Sequence, residues 1–219
     1  MDFYDLVNFC TYFSPIVVLG GVGIGIYYFK RLDILRKIVT FYLLAMFAVD
    51  VLSRIIGRIY ENNLFFIPIW GFLELFIFSL LYYFLGIKDT AGKKISLILI
   101  IAAAFLFTLW EINKVCNAPI EEFQSYSKVI STLLLVLLSL GFFLENILKK
   151  KDISSDLFLL NSGILIYYSL TLIIFLPIDF LIQDNTGLKF YFWFANIIFM
   201  LVFYIFLILS IWRNGKTQE

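Results

Sequence analysis

The chain has 219 residues, of which 62% are hydrophobic and 15% charged, and its mean hydropathy is +0.96. A water-soluble domain is about 45–50% apolar and about 25% charged, so this excess of apolar surface needs lipid around it. The net charge of +1 gives no electrostatic case for a nucleic-acid partner, and a chain with no histidine and two cysteines has no His-based triad and no expected metal or cofactor.

A helix needs about 20 apolar residues to cross a bilayer core of about 30 Å. Backbone groups in lipid must be bonded internally, so each such run is expected to be helical. Seven runs qualify: residues 6–29, 38–59, 64–85, 95–112, 129–148, 157–182 and 190–212. The expected fold is therefore all-α, a single seven-transmembrane-helix bundle over residues 1–219. Trp110, Trp212, Tyr4, Tyr60 and Tyr126 fall near run ends, as interfacial aromatics do.

Span one follows an acidic leader, Asp2 and Asp5, which is unlike the positive start of a cleaved signal peptide, so it is expected to stay in the membrane. Its Gly20, Gly21, Gly23 and Gly25 point to close helix packing. Span two carries Asp50, Arg54 and Arg58, spaced by four and so on one helical face. Ionisable groups at such depth are expensive and mark candidate sites. Asp50 lies about 12 Å deeper than Arg58 at about 1.5 Å rise per residue. Span three begins with Asn62 and Asn63 and carries Pro68, Trp70 and Glu74, with Pro68 expected to free a carbonyl one turn above.

Span four ends near Cys116. With Cys10 on the same side, a disulfide and two separate thiols both stay open. The connection from Asn113 to Lys128, with Pro119, Glu121 and Glu122, reads as a solvated loop. Span five ends with Glu145 before Lys149–Lys151, which suggests a helix-end ion pair. Span six holds Asn161 and Ser162, suited to interhelical hydrogen bonds, and Asp179 near its far end. Span seven starts at Asp184, Asn185 and Thr186, followed by Trp193 and Asn196. The spacing from Asp184 to Trp193 repeats that from Glu61 to Trp70, which suggests a 3+1+3 pseudo-repeat, although shared capping chemistry would give the same match.

Twelve Lys and Arg residues fall on the side of the first, third and fifth connections and the tail, against Lys114, Lys128 and Lys189 opposite. The positive-inside rule then places the N-terminus outside and the C-terminus in the cytoplasm. The cytoplasmic segments are short, so any output is expected to pass to a separate cytoplasmic or membrane partner protein.

The deep polar residues Asp50, Arg54, Arg58, Glu74 and Asn196 admit two readings. They form an ion-pair network tethering spans two and three, or they line an outward-facing pocket for a small or lipid-like ligand. The leading expectation is a receptor-like or accessory membrane protein. A small-solute or proton-coupled transporter with Glu74 as the titrating group is the alternative. Carboxylates without histidine support few reactions, so an enzyme is the weakest reading.

Asn62/Asn63 with Pro68 and Glu74, Gly163–Tyr167, and Trp193 with Asn196 make the chain resemble small bacterial seven-helix membrane proteins of no established activity. That resemblance implies the bundle and an inner-membrane location. The sequence lacks the mid-helix lysine of retinal proteins in its last span. It also lacks the Pro-Gln pair of PQ-loop transporters and an Asp-Arg-Tyr at the inner end of span three.

Overall fold

Each apolar run contains one continuous helix, because lipid offers no alternative partner for its backbone. The structure, a computed structural model, describes residues 3–60, 62–85, 91–117, 125–150, 153–177 and 188–217. Among the described residues the helices are α1 (Phe3–Tyr28), α2 (Ile34–Tyr60), α3 (Phe66–Leu85), α4 (Ala91–Asn117), α5 (Tyr126–Leu148), α6 (Ser155–Phe175) and α7 (Leu188–Thr217). All seven are long and apolar enough to cross a membrane, so this is a multi-pass protein of a lipid bilayer. Leu99, Leu106, Ile166 and Val202 are exposed on the bundle exterior, as a lipid-facing surface requires. Trp110, Trp212, Tyr60 and Tyr126 are exposed near helix ends.

Six helices close a ring in the order α1, α2, α3, α5, α6, α7, and α7 packs back on α1. The remaining helix, α4, lies outside the ring on α3 and α5, and α2 also touches α7. We refer to the end where α1 begins as the N-terminal end and to the opposite one as the basic end.

Several boundaries differ from the apolar runs. Helix α6 stops at Phe175 rather than 182, because Pro177 has no N–H with which to continue the ladder. Asp179 and the Asp184–Thr186 half of the repeat lie outside the described residues, as do Pro119, Glu121 and Glu122. Helix α7 runs on through the expected tail to Thr217. Its Asn214 accepts the Asp33 backbone N–H at 3.1 Å, and its Nδ2 donates to Asp33 Oδ2 at 3.4 Å. Asp33 in turn accepts the Arg36 N–H at 2.8 Å, which caps α2. Arg36 is buried and bonded to Asp33 at 2.8 Å, so it is not a free loop charge. At the same end Glu145 pairs with Lys149 and, at 2.5 Å, with Lys93 of α4.

Two of the four glycines in α1 serve close packing. A Cβ on Gly21 would strike Ile208 and Leu43, and one on Gly25 would strike Thr40, whereas Gly20 and Gly23 face open space. Cys10 and Cys116 are both free thiols.

The middle of the bundle is an aromatic plate. Tyr42, Phe78, Tyr168 and Phe203, from four different helices, are buried. Their rings stand 4.7 Å apart for Tyr42–Phe78 and 5.6 Å for Phe78–Tyr168. Tyr167 stacks on Phe203 at 4.1 Å, which closes the plate toward the N-terminal end. Nearer the basic end, Tyr82 donates to Asn161 Oδ1 at 2.7 Å and Ser139 donates to the same oxygen at 2.9 Å. These bonds join α3, α5 and α6, so Asn161 is an interhelical hydrogen-bond partner.

Candidate functional site

Glu74 sits on α3, one turn above Phe78 and almost wholly buried. A carboxylate there must be paired and hydrogen-bonded to be tolerated. Trp70 Nε1 donates to its Oε1 at 2.9 Å, and the Tyr42 hydroxyl donates to the same oxygen at 3.2 Å. Lys128 Nζ reaches its Oε2 at 2.5 Å, and both side chains are buried. This corrects the expected tether between α2 and α3: the partner of Glu74 is a lysine of α5, not Arg54 or Arg58.

The apolar-run reading leaves Lys128 in a loop. Ser125 instead caps α5, accepting the Lys128 backbone N–H at 3.2 Å, so Lys128 stands in the first helical turn. Its face continues through Ser131, Thr132, Leu135 and Ser139, all buried. Gly71 makes the approach possible, because a Cβ there would lie 2.9 Å from the Lys128 Cα. The Lys128 ammonium also lies over the Trp70 ring at 5.2 Å and the Phe175 ring at 5.8 Å. A capping serine three residues before a lysine is the signal that could have placed it on a helix.

Arg54 takes a different partner. Its Nε donates to Asp50 Oδ1 at 3.1 Å, one turn earlier on α2. Its Nη2 donates to the Thr11 carbonyl of α1 at 2.7 Å, and the guanidinium stands over the Tyr12 ring at 5.4 Å. Arg58 is exposed near the end of α2.

Between these two charge pairs lies a cavity of about 300 Å³ at the N-terminal end. Asp50, Arg54 and Asn196 line it, and so does Lys128, whereas Arg58 and Glu74 do not. Glu74 is set behind Trp70 and Lys128 and acts on the cavity through them. The walls are Trp70, Trp193, Tyr167 and Phe175, with Ile197 and Met200 of α7. Asn63 and Ser53 form part of the rim; Asn63 Nδ2 donates to Ser53 Oγ at 3.0 Å, fixing the α2–α3 connection. Pro68 is the third residue of α3, where no helical N–H is required. The Leu64 carbonyl one turn above it is taken by the Ile67 N–H at 3.0 Å, so Pro68 frees no acceptor there.

Two of the lining residues carry a buried side-chain oxygen with no hydrogen-bond partner, Asp50 Oδ2 and Asn196 Oδ1. Both oxygens are themselves buried, so a bound molecule reaches them only if the Asp50 and Asn196 side chains turn toward the cavity, and a buried acceptor without a partner gains from such a bond. A second carboxylate, Glu111 of α4, also escapes the sequence reading. It is buried away from this cavity's lining and accepts the Ser127 backbone N–H at 2.7 Å, in the first turn of α5. That geometry caps a helix from a neighbouring one, with the α5 dipole favouring the negative charge.

No protein-family model matches the chain, and no curated protein or solved structure matches it.

Proposed function

We propose that the protein is a receptor-like or accessory subunit of the cytoplasmic membrane, with its N-terminus outside and its C-terminus in the cytoplasm. Its cavity binds a small or lipid-like ligand from the outside, and its cytoplasmic face passes occupancy to a separate protein. The observation that carries this reading is the cavity of about 300 Å³ between two charge pairs, with an unpartnered oxygen on each of two lining residues, Asp50 and Asn196. Ligand sites of this kind are mostly apolar concavities with a few oriented polar groups. Orientation rests on the basic residues of the opposite end.

The aromatic plate beneath the cavity favours sensing over passage. Tyr42, Phe78, Tyr168 and Phe203 are packed ring against ring between the cavity and the basic end. Helix α7 offers a mechanical link. It carries Trp193 and Asn196 at the cavity and Asn214 at the Asp33 cap, within one helix of 30 residues. A tilt of α7 on ligand binding would reach the basic end without any element melting.

One observation favours transport as a second reading. The ring order, with α4 outside, is the order that a 3+1+3 duplication of α1–α3 and α5–α7 produces. Substrate uptake into proteoliposomes driven by a proton gradient, abolished by Glu74→Gln, would select it.

The test is thiol accessibility. Cys10 and Cys116 are replaced by alanine, and Ser53→Cys, on the cavity lining, is treated in intact cells with a membrane-impermeant thiosulfonate. Rapid modification there, with none at the lipid-facing Val202→Cys, is the expected result. Modification of Ser53→Cys only from the cytoplasmic side, or from neither side, overturns the proposal.

A further inference from the structure

The polar groups of the cavity are sorted by sign in a way that defines what fits it. Lys128 uses one of its three N–H donors on Glu74, and Arg54 uses Nε and Nη2 on Asp50 and Thr11. An ammonium has three donors and a guanidinium five, so donors remain on both cations, which is what an oxyanion requires. Acceptors are in the opposite condition. Asp50 Oδ2 and Asn196 Oδ1 have no donor, although Asn196 is more than nine-tenths buried. They suit an ammonium group.

The net charge makes the same selection. Asp50 with Arg54 and Glu74 with Lys128 each sum to zero. A singly charged molecule would leave one uncompensated charge in a site walled by Trp70, Trp193, Tyr167 and Phe175, which is costly at low dielectric. A molecule carrying both signs leaves the balance intact.

The geometry points to a zwitterion bearing a primary ammonium and an oxyanion, its ammonium on Asp50 and Asn196 and its oxyanion on Lys128 and Arg54. The inference deepens, and rests on, the reading of this cavity as a ligand site. The aromatic walls take the apolar body, and a volume of about 300 Å³ admits a molecule of amino-acid size or a lipid headgroup. Both sources share the chemistry: a free apolar amino acid, or the ethanolamine phosphate of a membrane lipid.

The experiment titrates the purified full chain in detergent micelles by calorimetry. L-Leucine and L-phenylalanine sample the free source, and glycerophosphoethanolamine samples the headgroup. Isoamylamine and 4-methylpentanoate carry one charge each on the same leucine-like body. At least one zwitterion is expected to bind tenfold or more tightly than both single-charge compounds. Asp50→Asn is expected to weaken that zwitterion at least tenfold and to leave 4-methylpentanoate unchanged. If Asp50→Asn does not fold, Asn196→Leu carries the same expectation. Binding of glycerophosphoethanolamine alone assigns the lipid source, and binding of an amino acid alone assigns the free one. Absence of binding by all three zwitterions, or equal binding by a single-charge compound, overturns the inference. With a reactive Ser53→Cys that failure removes only the ligand class, whereas an unreactive Ser53→Cys removes the ligand site itself.

Discussion

Lys128 and Glu74 are each useful only in the presence of the other. Removing one partner of a buried ion pair leaves an uncompensated charge, at about 3–5 kcal/mol, whereas replacing both by apolar groups is often neutral. Lys128→Met is therefore expected to lower stability by about that amount, measured by denaturant unfolding in mixed micelles. Combined with Glu74→Leu it should recover most of the loss, apart from the donors of Trp70 and Tyr42 left without an acceptor. Gly71→Ala tests the same contact sterically. Its new methyl meets the Lys128 Cα at 2.9 Å, so α3 and α5 must separate. A loss of about 1–3 kcal/mol, typical of overpacking, is expected in the same assay. Glu74 was legible in the sequence because a carboxylate in an apolar run stands out. Its partner was not, because pairing depends on the rotation of two helices about their axes and Lys128 sits at the edge of its run.

At the scale of elements, apolar run length locates every helix, since a bilayer-spanning segment has no other way to satisfy its backbone. It misplaces ends, which are set by polar chemistry. Ser125 and Glu111 start α5, Asp33 starts α2, and Pro177 follows the end of α6. The role of Glu111 is testable separately from the cavity. Glu111→Leu removes the acceptor for the Ser127 N–H and is expected to destabilise by about 0.5–2 kcal/mol. Glu111→Gln retains an oxygen and should lose less, and neither change should alter accessibility of Ser53→Cys. Helix α4 packs on α3 and α5, and two polar contacts tie it to α5, Glu111 with the Ser127 N–H at one end and Lys93 with Glu145 at the other. Hydrogen exchange of the α5 N-terminus should rise in Glu111→Leu and rise less in Glu111→Gln.

At the scale of the whole molecule, the depth of the polar groups was readable and their grouping was not. Counting residues along α2, α3 and α7 puts Asp50, Glu74 and Asn196 in one half of the bundle. It does not show that the ring order brings α2, α5 and α7 around one cavity while leaving Arg58 outside the lining and Glu74 behind it. Nor does it show the aromatic plate, because Tyr42, Phe78, Tyr168 and Phe203 come from four separate runs with nothing in each run to mark a common plane. Together these features make a bundle that is tightly packed through its middle and hollow at one end. The central claim is that this hollow is a ligand site. The most direct measurement is a cryo-electron-microscopy structure of the protein extracted from its own membrane. Non-protein density in contact with Asn196, Arg54 and Trp70 is the predicted result. A cavity closed by inward movement of Trp70 and Trp193, with Asp50 Oδ2 and Asn196 Oδ1 bonded to protein groups, would contradict it.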